Sequence, residues 1–191
     1  MKIRLTFLVA CSLFAATAAS AQQPGANNRV NGVVKSVSGG HVIITTMKGD
    51  VDLALTEQTR YGVRHETSTG NIKPGTYLGT SNQNGAAPNT GTATEVHILP
   101  SGPNLQFPMD DKGLTMTNGR VTSVKRTDKG QEMEIDYGKD TKRQVTVTSD
   151  TSVTSQVDGT VADLKPGATV LALTDGKTTA TFITVQPPAK K

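Results

Sequence analysis

In QEMEIDY at 131–137, Met133, Ile135 and Tyr137 alternate with Glu132, Glu134 and Asp136, so an extended chain carries three apolar side chains on one face and three carboxylates on the other. GKDT then turns the chain into KRQVTVT, whose Val145 and Val147 complete the inner face. A matching hairpin reads HVIITT, MKGD and VDLAL at 41–55, with Val51, Leu53 and Leu55 inward. Its first strand has apolar residues on both faces at Val42, Ile43 and Ile44, which predicts that it is the better buried one. No long stretch shows a helical apolar period, and Thr, Val, Gly, Asn and Pro are abundant, so the fold class is all-β.

The pattern occurs twice. NGVVKSV at 31–37 matches NGRVTSV at 118–124 in five of seven positions. LTEQT (55–59) and VTSDT (147–151) follow, then IKPG (72–75) and LKPG (164–167), then VHILP (96–100) and ITVQP (183–187), in the same order. Two copies with a period near 90 residues point to duplicated small domains rather than a solenoid. Val34 and Val37, like Val121 and Val124, are three apart and would face opposite sides of a regular strand; a β-bulge near Ser36 and Ser123 returns both to the core and bends the strand as a small barrel requires. Lys-Pro-Gly suits a type II turn, with Pro74 or Pro166 setting φ and Gly75 or Gly167 accepting positive φ. Ile72 and Leu164 before these turns read as core plugs, and Thr160 with Asp163 as a capped helical turn. The expected architecture is two tandem small OB-like β-barrels, each of five or six strands, at 30–100 and 117–187. A Pro- and Gly-rich linker spans 101–116.

The N-terminus adds a destination. Lys2 and Arg4 precede an apolar run from Leu5 to Ala16 and a small-x-small site at Ala19-Ser20-Ala21, which reads as a signal peptide over 1–21 cleaved after Ala21. A tail at 22–29 and a basic tail at 188–191 flank the repeats. Cleavage removes the one cysteine, Cys11, leaving 170 residues without thiol chemistry or disulfides and a formal charge of +2. The expected location is the periplasm, without a membrane-spanning segment in the mature chain. Near-neutrality and a total of five aromatics after the signal, none of them Trp, argue against nucleic acid.

The residues NGxVxSV, TxxT, (I/L)KPG and the flanking EVHILP and LTMTNGRVTSV resemble a family of exported bacterial β-domain proteins of unknown function. Some of its members carry transporter-component names. The resemblance covers both repeats and implies tandem OB-like barrels of the periplasm. It implies no catalytic residues.

Candidate chemistry is sparse. No nucleophile elbow, metalloprotease helix or phosphate-cradling loop is present, so neither an enzyme nor a cofactor is expected. Arg64, His65 and Glu66 form a charged tip in RYGVRHETSTGN, which with SNQNGAAPNTGT is where the copies diverge most, and these segments are the expected binding surface. Glu95 and His97, two apart in TEVHI, share a strand face and are the candidate metal ligands, although the second copy has Phe182 and Thr184 there. The sequence therefore predicts a monomeric, non-catalytic binding or envelope-associated module whose partner is an envelope protein or a small ligand. A periplasmic metal-binding accessory protein using His97 and Glu95 is the alternative.

Overall fold

Residues 28–186 are described by a computed structural model. The signal segment, tail residues 22–27 and the basic tail 188–191 lie outside the described residues. The described residues form the strands β1 (Arg29–Ser38), β2 (His41–Thr46), β3 (Gly49–Ala54), β4 (Arg60–Glu66), β5 (Tyr77–Asn84), β6 (Thr90–Ile98), β7 (Leu105–Pro108), β8 (Leu114–Thr127), β9 (Gly130–Asp136), β10 (Lys142–Val147), β11 (Ser152–Asp158), β12 (Thr169–Thr174) and β13 (Ala180–Val185), with both alternating hairpins, β2–β3 and β9–β10, where the sequence places them. Single 3-10 turns sit at Thr69–Asn71 and Val161–Asp163; at the second, the Thr160 backbone N–H donates to Asp163 Oδ2 at 2.8 Å. Both expected bulges are present, between Val34 and Ser36 and between Val121 and Ser123. Gly75 and Gly167 have φ of 91° and 89°.

Hairpins pair within each sequence copy, but the sets that enclose the cores combine hairpins from both copies. β5 and β6 of the first copy join β8, β9 and β10 of the second in a closed ring: β5–β6, β10–β9, β9–β8 and β8–β5 are antiparallel and β6–β10 is parallel. Its core holds Ile72, Leu78 and Val96 from the first copy against Val121, Met133, Ile135, Val145 and Val147 from the second. The reciprocal set, β1 to β3 with β12 and β13, encloses a second core in which Val34, Val42, Ile44 and Leu53 meet Leu164, Val170 and Ile183. The copy boundaries at 100 and 117 therefore do not bound the barrel. The stretch expected as a linker contains β7 and the start of β8, because Leu105–Pro108 finds a free edge on β8.

Among the described residues one barrel is closed, where the sequence predicts two. β10 and β6 form a ladder over Gln144–Thr146, whereas their counterparts meet in a single bridge, Ala54 to Thr179. In the turn before this bridge, Asp175 Oδ1 accepts the backbone N–H groups of Lys177 and Thr179 at 2.9 and 3.2 Å, and Ala54 N–H donates to Thr178 O at 2.8 Å.

The Lys-Pro-Gly turns tie the exchange together. Gly75 N–H donates to Val121 O at 2.8 Å and Val121 N–H to Thr76 O at 2.8 Å; in the other half Gly167 N–H donates to Val34 O at 2.8 Å and Val34 N–H to Ala168 O at 2.9 Å. Each turn thus grips the bulged strand of the other copy. A Cβ at Gly75 or Gly167 meets nothing within 4 Å, so Gly→Ala at either position carries only the backbone penalty. The expected loss is about 1 kcal/mol for each variant in a denaturant titration. Cutting the chain between Ser101 and Asn104 should leave two fragments that co-elute at the intact mass under native conditions, and elution as separate folded fragments would contradict the exchange.

Candidate functional site

The two copies meet where β4 pairs β11. The register sets Arg64 opposite Gln156, and these two residues hold the same place in their copies, each eight residues before Ile72 or Leu164. Antiparallel pairing of equivalent positions puts an approximate two-fold axis between them. β6 adds to the other side of β11, with Thr154 opposite both Glu66 and His97 and Ser152 opposite Glu95. Side chains two apart share a face, so Arg64, Glu66, Thr154, Gln156, Glu95 and His97 lie together on the outer face of this seam.

His97 is the most perturbed of them. Its Nδ1 stands 2.8 Å from Thr154 Oγ1 and its Nε2 3.3 Å from Glu95 Oε2. Burial, then the Arg64 charge, holds its pKa down to about 4, against the opposing pull of Glu95. A neutral ring that accepts from Thr154 at Nδ1 and donates from Nε2 to Glu95 satisfies both nitrogens. The connectivity hydroxyl–imidazole–carboxylate is that of a nucleophile, base and orienting group. Thr154 is only 5% exposed, however, and an imidazole with a pKa near 4 is a weak base at neutral pH.

Glu95 and His97 do share a face, as expected. Both ring nitrogens are engaged, and among the described residues no group of three or more His, Cys, Asp or Glu is placed to hold a metal. Arg64 beside the pair adds a further obstacle to a cation. The seam gives metal binding no support beyond these two donors.

Arg64 is the hinge of the site. Its Nη1 donates to Gln186 Oε1 at a long 3.3 Å, and its buried Nε has no partner among the described residues. Burial pulls its pKa down, partly offset by Glu95. The residue lines two cavities. One, of about 700 Å³, also contains His65, Glu66, Lys165 and Gln186 in its walls. The other, of about 440 Å³, has Arg29, Arg60 and Asp158 around an apolar floor of Leu171, Leu173 and Phe182. Arg60 stacks over the Phe182 ring at 5.7 Å. His65 and Glu66 are exposed, and His65 belongs to the opposite strand face from Arg64. The sequence identified Arg64 as a loop tip, whereas the structure makes it a strand residue on the axis. Arg29, Arg60 and Phe182 were missed because their proximity depends on β1, β4, β12 and β13 coming together across the copies.

The His97 shift has a pH consequence. A folded pKa below the unfolded value of about 6.5 means that the unfolded chain takes up a proton first, so this contribution to stability is full above pH 7 and is lost as pH falls toward 4. The loss is about 3 kcal/mol at most for the 2.5-unit difference. Stability measured from pH 8 to 4 should fall less steeply in His97→Gln, and Arg64→Gln should raise the His97 pKa seen by NMR titration. A His97 that titrates near 6.5 in the wild type would contradict the seam electrostatics.

No protein-family model, curated protein or solved structure matches the chain.

Proposed function

We propose that this is an exported, non-catalytic binding module of two OB-like barrels, associated with the cell envelope, and that the axial seam around Arg64 takes a ligand with an anionic head and an apolar body. Export rests on the N-terminal segment and the OB-like reading on the closed five-stranded ring. The second core, with the same strand plan and a single closing bridge, supports a second, more open barrel.

One observation carries the ligand reading: Arg64 is the wall between two cavities, with a buried Nε that has no partner among the described residues. An unpaired buried donor is costly, and an anion at the seam relieves that cost. Arg29 and Arg60 reinforce the positive potential, with Asp158 as the opposing carboxylate in the smaller cavity, while Leu171, Leu173 and Phe182 offer apolar surface. The buried hydroxyl and weakly basic imidazole favour binding over turnover.

Decanoate is a suitable probe and decanol its uncharged control. Calorimetric titration should show saturable, salt-sensitive decanoate binding, about tenfold weaker in Arg64→Gln, as expected for loss of a charged hydrogen bond. Decanol binding as tight as decanoate, or unchanged decanoate affinity in folded Arg64→Gln, would remove the seam as the anion site.

A further inference from the structure

The interior of the closed barrel turns polar at one end. Thr80, Asn82, Thr117 and Arg143 occupy inward positions and are 0%, 0%, 0% and 4% exposed. The same strand positions in the other half are held by Ala172, Thr174, Val30 and Val51: the cross-strand pair Thr80–Thr117 corresponds to Ala172–Val30, and Arg143 opposite Ile135 corresponds to Val51 opposite Ile44. The fold therefore accepts mostly apolar side chains at these places. An arginine in the inward phase of β10, two residues before the buried Val145, is not required to build the barrel.

The polar set forms a built cradle. Arg143 Nε donates to Asn82 Oδ1 at 2.7 Å and Nη2 to Asn84 Oδ1 at 2.6 Å, while Thr115 Oγ1 donates to Asn84 Oδ1 at 2.9 Å. Asn82 is held in turn by donation of its Nδ2 to Thr80 O at 3.2 Å. Gly91 makes room, since a Cβ there would come within 2.5 Å of Asn82 Oδ1 and 2.9 Å of Arg143 Nη2. Among the described residues no carboxylate lies within ion-pair distance of Arg143. Amide oxygens orient a guanidinium but leave its charge uncompensated. Two of its N–H groups are committed to asparagines, which leaves others for a ligand.

Arg143 lies in the wall of a cavity of about 480 Å³ whose other walls include Asn84, Asn89, Thr90, Gln106 and Phe107. The loop over it, Gly85–Asn89, is part of the segment in which the two copies diverge, and it is pinned to β10 by donation from Gln144 N–H to Asn89 O at 2.9 Å. The chemistry of the walls is selective. A single cation matches a monoanion, the surrounding amides and hydroxyls match hydroxyl groups, and an aromatic side chain offers a face to a ring.

We propose that this cavity binds a small hydroxylated carboxylate of the sugar-acid class, with the carboxylate on Arg143, the hydroxyls on Asn89, Thr90 and Gln106, and the sugar ring against Phe107. The site is separate from the Arg64 seam and stands or falls without it.

The probe is D-glucuronate, with glucose, acetate and sulfate as comparators, followed through the side-chain amide signals of Asn82, Asn84, Asn89 and Gln106 in NMR titrations of the whole protein. Glucuronate should shift these signals saturably, with glucose and acetate at least about tenfold weaker, the loss that follows from removing a charged hydrogen bond or a set of neutral ones. Arg143→Met, which follows the apolar choice at Val51, should keep the fold and lose at least about tenfold in affinity. Phe107→Ala, outside both cores, should weaken binding while leaving the barrel methyl signals in place, and it serves as the test if Arg143→Met fails to fold. Unmoved amide signals, unchanged affinity in either folded variant, or equal affinity for acetate and sulfate, meaning an adventitious ion only, would overturn the proposal. Decanoate leaves these amides unmoved if the two sites are distinct.

Discussion

Four backbone hydrogen bonds between the Lys-Pro-Gly turns and the bulged strands hold the architecture in place. Gly75 and Thr76 are bonded to Val121, and Gly167 and Ala168 to Val34, so each copy closes its turn on the other. The turn needs a glycine at positive φ to aim its N–H outward, and the bulge bends the receiving strand so that its valine pair stays on the core side. Ile72 and Leu164, immediately before the turns, plug the core that belongs to the partner strands. Neither half-core is complete without side chains from both copies.

Exchange of this kind places the symmetric centre on β4 and β11, the two equivalent strands that pair with each other. At such a centre equivalent residues become neighbours, and any difference between the copies creates an asymmetric site. Arg64 faces Gln156, and Glu95 with His97 stands where the other side has Phe182 and Thr184. The seam therefore combines a half-buried cation, a neutral imidazole and an apolar shelf within one continuous sheet. Repetition supplies the scaffold, and divergence at the axis supplies the chemistry.

The same logic applies inside the cores. Both halves share the strand plan and the apolar plugs, yet one is filled by Val30, Val51 and Ala172 where the other has Thr117, Arg143 and Thr80. Polar groups buried to this extent weaken a core unless each finds a partner, and here the asparagines and threonines satisfy much of the demand without neutralising the guanidinium. The closed barrel thus combines full strand closure with a polar end, while the apolar half is joined across its opening by a single bridge.

Local features were legible in the sequence because they rest on neighbouring residues. Alternation placed the hairpins around Met133 and Ile44, valine spacing placed the bulges, and Pro-Gly chemistry placed the two turns and their positive φ. The shared strand face of Glu95 and His97 followed from spacing of two. Arg143 could have been noticed from its phase with Val145 and Val147, a charge where the pattern asks for an apolar residue. Partnership was different. Two copies with the same turns and the same core positions are equally compatible with folding each on itself and with exchanging halves, because identical side-chain patterns fit either arrangement. Only the tertiary structure decided which bulge each turn grips, and with it which residues surround Arg64, that one ring closes by a ladder and the other by a single bridge, and where a buried arginine meets a cavity.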